Sequence, residues 1–132
     1  DDKSGSHNLV VGKRHSYTAF GGIVVGYDHI LSGSYGGVLG GAGNIASGFG
    51  STISGGQYNS ATNTYCSVLG GYTNEASGIA ATVSGGQYNF ASGNSSSVSG
   101  GGNNTASGQS FSISGDAGYT FLDNSADGNT ID

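Results

Sequence analysis

Ser97-Val98-Ser99-Gly100-Gly101-Gly102-Asn103-Asn104-Thr105-Ala106-Ser107-Gly108 carries the pattern that decides the fold. Its frame, Val-x-Gly-Gly-x-x-Asn-x-Ala-Ser-Gly, returns every fifteen residues from 40 to 115 without slippage. The Gly pairs start at Gly40, Gly55, Gly70, Gly85 and Gly100. The Asn column is Asn44, Asn59, Asn74, Asn89 and Asn104, and the Ala column is Ala46, Ala61, Ala76, Ala91 and Ala106. A β-branched column runs Val38, Ile53, Val68, Val83, Val98 and Ile113. An unbroken short period makes each repeat one rung of a stack, so the chain is predicted to be a solenoid with any function spread along its surface.

The register extends outward. Ile23, Gly26, His29, Leu31 and Gly33 are expected in the same columns one rung earlier. Asn8-Leu9-Val10-Val11-Gly12 matches Gly22-Ile23-Val24-Val25-Gly26 at an offset of fourteen, which makes the first rung one residue short. At the other end, Asn124-Ser125-Ala126-Asp127-Gly128 restores the Asn-x-Ala-x-Gly phrase twenty residues after Asn104. That spacing places about five extra residues between Ser114 and Leu122. The expected division is 1–115, a repeat β-roll of about seven coils, and 116–132, an insertion with a final partial coil or cap.

The 132 residues include 28 Gly and no Pro, and only 8% are charged. Gly- and Ser-rich chains also make flexible linkers, but disorder needs no register, and the Val/Ile column has one. The missing Pro fits a ladder that uses its backbone N–H groups. The net charge of −5 comes mostly from the two ends, and Glu75 is the only charged side chain between His29 and Gly115. With no basic track, nucleic-acid binding is not expected. No apolar run approaches a membrane span and no leader is visible, so no direct membrane insertion is expected. The first residue is not Met, and the chain reads as a mature or excised piece of something longer. One Cys makes no internal disulfide.

Fifteen residues fit two short strands and two corners. In Ser51-Thr52-Ile53-Ser54-Gly55 the side chains alternate, Ile53 on one face with Ser51, Thr52 and Ser54 on the other. Asn59 and Ala61 share a face of the second strand. The β-branched column is expected to pack on the Ala column inside the coil. The Asn side chains then sit at a corner, bonding the next rung or the turn backbone. One β-branched residue and one Ala per rung make a thin core, so side-by-side association of several chains is expected. Leu39, Leu69, Val24 and the aromatics are candidates for that seam.

These phrases resemble the head domains of trimeric autotransporter adhesins, the YadA-like left-handed parallel β-rolls. That family repeats about fourteen residues, with small residues, Val or Ile and Gly in one strand and Asn or Ser-x-Ala-x-Gly in the next. The likeness covers roughly Asn8 to Gly115. It implies an all-β left-handed β-solenoid, a homotrimer, an extracellular or cell-surface location, and binding to host or matrix protein or glycan. The family's neck, coiled-coil stalk and membrane anchor have no counterpart in this sequence.

Candidate sites are few. His15 and His29 take corner positions where other rungs carry Asn, which reads either as a metal site or as a replacement corner hydrogen-bonder. Asp123-x-Ser125-x-Asp127-Gly128 resembles the start of a calcium loop but lacks its downstream Glu. Cys66 shares a column with Ser51, Ala81, Ser96 and Phe111 and reads as a buried thiol. Thr52, Ser67, Thr82, Ser97 and Ser112 form a hydroxyl ladder, with Ser54, Ser84, Ser99 and Ser114 two residues on, suited to ordering water on ice or simply to solvation. Tyr35 with Tyr65, and Tyr58 with Tyr88, share corner columns and suit either contact with a protein or glycan, or packing between chains. Asn94-Ser95-Ser96 and Asn103-Asn104-Thr105 fit the glycosylation pattern.

No acid–base pair, nucleophile or phosphate loop stands out, so neither catalysis nor a cofactor is expected. The reading is a non-catalytic extracellular structural and adhesive repeat module. A virion or fibre protein (phage fibre or capsid decoration) is the alternative, and an ice-binding β-solenoid the second.

Overall fold

The computed structural model describes residues 2–117, 120–121 and 130–131, with side chains through residue 115. The described chain is all-β with no helix, a parallel β-solenoid of about seven turns of roughly 15 residues. Its first sheet is nine-stranded. It opens with Leu9–Lys13 and Ile23–Tyr27, then takes one short strand per coil: Gly37–Val38, Thr52–Ile53, Ser67–Val68, Thr82–Val83, Ser97–Val98, Ser112–Ile113 and Thr130–Ile131. The second sheet is eight-stranded and runs Ser16–Tyr17, Ile30–Leu31, Ile45–Ala46, Ser60–Ala61, Glu75–Ala76, Phe90–Ala91, Thr105–Ala106 and Thr120–Phe121. Every pairing is parallel, and in the regular coils each residue lies beside the one fifteen later: Ile53 beside Val68, Ala61 beside Ala76.

Each coil has one more rung contact than the expected two strands. Parallel bridges link Tyr27, Ala42, Gln57, Tyr72, Gln87 and Gly102 in a third column, which Gly101–Gly102 pairing with Asp116–Ala117 extends. This column lies just after the Gly pairs. Gly41 and Gly56 sit at φ 84° and 81°, where an L side chain is strained, and a Cβ on Gly41 would meet the Gly56 carbonyl. The glycines therefore let the backbone turn off the first sheet and still pair with the coil above.

The alternation puts Ser51, Ile53, Asn59 and Ala61 at 0% exposure and leaves Thr52 and Ser54 in solvent. The core is a single file: Val24, Val38, Ile53, Val68, Val83, Val98 and Ile113 pack against Leu31, Ala46, Ala61, Ala76, Ala91 and Ala106. Ala81, Cys66 and Phe111 fill the corner beside them.

Two details of register differ from the sequence expectation. Ile23 lies beside Gly37, and Val24 beside Val38. The interior residue of that coil is thus Val24, at 0%, and Ile23 is 40% exposed. Val24 consequently leaves the list of outward seam residues. The cause is the placement of the missing residue. Leu9 to Lys13 pair with Ile23 to Tyr27 at an offset of fourteen, while Ile30 pairs with Ile45 at fifteen. The shortening falls at the turn between Gly26 and Tyr27, where later coils have two glycines. At the other end, Thr105–Ala106 pair with Thr120–Phe121 at the unbroken offset of fifteen, and Ser112–Ile113 pair with Thr130–Ile131 at eighteen. The extra residues lie between Phe121 and Thr130, three of them, not before Leu122. The repeated Asn-x-Ala-x-Gly phrase at Asn124 lies outside the described residues.

Candidate functional site

The described residues enclose no pocket, so the surfaces of the stack and its buried corner column are the places to look. The Asn column is the most built feature. The Asn59 backbone N–H donates to Asn44 Oδ1 at 2.9 Å. Asn59 Nδ2 donates to Gly55 O in its own coil and to Gly71 O in the next, both at 3.1 Å. Asn74 and Asn89 repeat the arrangement at 2.9–3.0 Å, and Asn104 continues it through Asn89 Oδ1 at 3.0 Å. Each amide is buried and ties its coil to the next, while the residue's backbone N–H ties it to the coil before, so a polar side chain is kept inside a thin core with its bonds made.

His15 and His29 continue this column in the two shortened coils. The rings stack with centroids 5.3 Å apart and planes 13° from parallel. Nδ1 of His15 accepts the His29 backbone N–H at 3.3 Å, and Nδ1 of His29 accepts that of Asn44 at 3.0 Å. Both Nδ1 atoms act as acceptors, so the proton of each neutral ring sits on Nε2. In His15 that proton points to Val11 O at 3.1 Å. Nε2 of His29 is buried with no hydrogen-bond partner. Burial, and then the neighbouring His15, hold His29 below the ordinary imidazole pKa. Both Nδ1 lone pairs are engaged by backbone N–H groups, so the pair continues the hydrogen bonding of the Asn column. Among the described residues no group of three or more His, Cys, Asp or Glu comes together. Asp123 and Asp127 lie outside the described residues.

The tyrosines form something larger than pairs. Phe20, Tyr35, Phe49 and Tyr65 run edge-to-face along one corner, with centroids 5.4–5.9 Å apart, and His7 adds a tilted ring at 4.8 Å from Phe20. Along the third column Tyr58, Tyr72 and Tyr88 do the same at 5.9 and 5.7 Å. All seven of these Tyr and Phe rings are exposed, from 40% at Tyr72 to 60% at Tyr65. Tyr35, Tyr58, Tyr65 and Tyr88 hold φ near 56–57°, a left-handed backbone that costs a bulky residue about 1–3 kcal/mol. Their rings fold over the coil below: a Cβ on Gly43 would lie 2.7 Å from the Tyr58 ring, and one on Gly50 2.7 Å from Tyr65. Sequence reading had missed Phe20, Phe49 and Tyr72, because these rings sit one position early in alternate coils. The signal was spacing of 14 and then 16, as from Tyr58 to Tyr72 to Tyr88.

On the first sheet, the Thr52 and Ser67 hydroxyls bond each other at 3.1 Å, as do those of Ser97 and Ser112 at 2.9 Å. Leu39 and Leu69 stand 54% and 53% exposed in the neighbouring column. Near the N-terminal end Leu9, Val11 and Ile23 add 57%, 51% and 40%, an apolar strip on the outer face. Cys66 is buried, with its thiol donating to Asn63 O at 2.9 Å, and burial pushes its pKa up.

No known family matches the chain, and no curated protein matches it.

Proposed function

We propose that this chain is a non-catalytic extracellular structural and adhesive module, resembling the heads of trimeric autotransporter adhesins. In this reading three left-handed coils stand side by side and display their edges to host, matrix or neighbouring molecules. The observation that carries it is the pair of exposed aromatic runs, Phe20–Tyr35–Phe49–Tyr65 and Tyr58–Tyr72–Tyr88. Aromatic rings supply large contact area at low entropic cost. Here four of them are held at a backbone geometry that disfavours bulky side chains. Surface residues under no demand would relax to the Gly, Ser or Asn found at the same positions in other coils, such as Gly43, Ser95 and Asn103.

The test is binding of the full chain to arrays of matrix proteins and glycans, alongside Tyr35→Ser/Tyr65→Ser and Tyr58→Ser/Tyr88→Ser variants. The expected result is binding that falls at least about tenfold in one of the two variants, as loss of about 1.4 kcal/mol would give. No binding by the parent chain, or binding unchanged in both variants, overturns the adhesive reading. Light scattering tests the trimer separately. The strip of Leu9, Val11, Ile23, Leu39 and Leu69 supports side-by-side packing. A stable 12.9 kDa monomer ends that part of the proposal.

Ice binding is the second reading, favoured by one observation. Thr18, Ser32, Ser47, Thr62, Ser77, Ser92 and Ser107 form an unbroken hydroxyl column beside the second sheet, one per coil. Thermal hysteresis measured on the full chain decides it, and its absence removes the reading.

A further inference from the structure

We propose that the stacked His15–His29 pair is an acid-opened latch on the two N-terminal coils, in which protonation takes each Nδ1 away from the backbone N–H it holds.

The geometry leaves a proton one place to go. In the folded chain Nε2 already carries the ring proton, and Nδ1 is the acceptor for the His29 N–H on one ring and for the Asn44 N–H on the other. A proton arriving from solvent binds Nδ1 and turns that acceptor into a donor facing a donor. Each proton therefore costs one inter-coil bond: protonation of His15 orphans the buried His29 N–H, and protonation of His29 orphans that of Asn44. The rings are 5.3 Å apart and nearly parallel, so a second proton sets two cations face to face. The Asn coils above have no such weakness, because an amide oxygen does the same work for Asn59, Asn74, Asn89 and Asn104 and takes up no proton in this range.

The Val25 and Gly41 backbone and the Asp28 carboxylate favour a cation on His29, but burial and the neighbouring His15 outweigh them. Asp28 is the nearest carboxylate, beside His29 in the chain, and it is engaged by Arg14 at 3.8 Å on the surface. Lys13 and Arg14 precede His15 in the chain, and the Arg14 guanidinium lies 5.9 Å from the centre of the Tyr27 ring. On the N-terminal side Asp2 reaches Ser16 only through its backbone. The coil above, residues 36–50, presents no titratable group to His29. The pair also occupies the two coils that lack the second glycine, so its failure loosens a distinct block of the stack. In a solenoid each coil is held by its neighbours, and an end block opens without unzipping the rest.

The experiment is residue-resolved amide hydrogen exchange on the full chain at about pH 7.5 and about pH 5, spanning the imidazole range, expressed as protection factors. Protection at the His29 and Asn44 amides is expected to fall about tenfold or more in acid, reversibly, with that at Asn59, Asn74 and Asn89 nearly constant. Equal change in both sets, or none in either, overturns the latch. NMR of the imidazole nitrogens supplies a readout that needs no variant. Both rings are expected to be bare at Nδ1 at neutral pH, and a ring carrying its proton there overturns the proposal. His29→Asn, which installs the amide of the other coils, is expected to lose most of the acid response if it folds. Retention of the full response also overturns it.

Discussion

Asn59 Oδ1 accepts the backbone N–H of Asn74 at 2.9 Å, and Asn74 in turn reaches across to Gly86 O at 2.9 Å. Truncation of one such side chain therefore strands groups in two successive coils. Asn74→Ala leaves the Asn89 N–H, the Gly70 carbonyl and the Gly86 carbonyl without this partner. The Gly86 carbonyl keeps the Tyr72 N–H, so two groups are left short, and at about 1–3 kcal/mol for each a loss of about 2 kcal/mol or more is expected. Chemical denaturation, read as the midpoint shift against wild type, checks this. Ser84→Ala, at an exposed position beside the first sheet, is the control and is expected to move stability by under about 0.5 kcal/mol.

Val24 and Ile23 are adjacent in sequence and opposite in fate. Val24 is fully buried and Ile23 faces out. Val24→Ala is expected to cost about 1.5–3 kcal/mol, the worth of a buried valine, and Ile23→Ala less than about 1 kcal/mol. Thermal melts of the two variants decide between this register and the one a uniform fifteen-residue count gives, which reverses the order.

Tyr58 and Gly43 are coupled across coils. Gly43→Ala adds a Cβ 2.7 Å from the Tyr58 ring, at a φ of 66° that alanine already dislikes. In the parent the substitution is expected to cost about 2 kcal/mol, and in a Tyr58→Ser background about 1 kcal/mol, the backbone part alone. A double-mutant cycle with no coupling refutes the interlock.

The pH dependence of stability has a definite sign. His29 is held below its ordinary 6.5 in the folded chain, so the unfolded chain binds more protons. The contribution is whole above 6.5 and drains as pH falls toward the folded value. Melting temperature is expected to decline from about pH 7.5 to about pH 5, and His29→Asn to flatten that part of the curve.

The columns from residue 36 onward were readable in the sequence because the period is strict: Val38 to Ile113, Asn44 to Asn104 and Ala46 to Ala106 each stack on their own kind. A hydrogen-bonding corner for Asn followed from its side chain, and His15 and His29 followed from sharing that column. What was not readable depended on where a residue is lost or gained. A period fixes which residues repeat, but a one-residue deletion between two matching blocks can sit at any turn between them. Only the pairing of Val24 with Val38 and of Ile30 with Ile45 locates it after Gly26. Likewise the sequence alone left the extra residues anywhere after Ser114, and the pairing of Phe121 with Ala106 shows the coil had not yet shifted there. The continuous aromatic edges escaped because Phe49 and Tyr72 lie one position out of column, where a turn still brings the rings together.

Because Asn59, Asn74 and Asn89 each meet a copy of themselves above and below, one coil is interchangeable with another. Excising 66–80 would join Tyr65 to Ala81 and set Asn59 under Asn89 with the same bonds on offer. The molecule's length is thus a quantity that gene duplication or loss can adjust in whole steps, with no new chemistry at the splice and the two ends carried along unchanged.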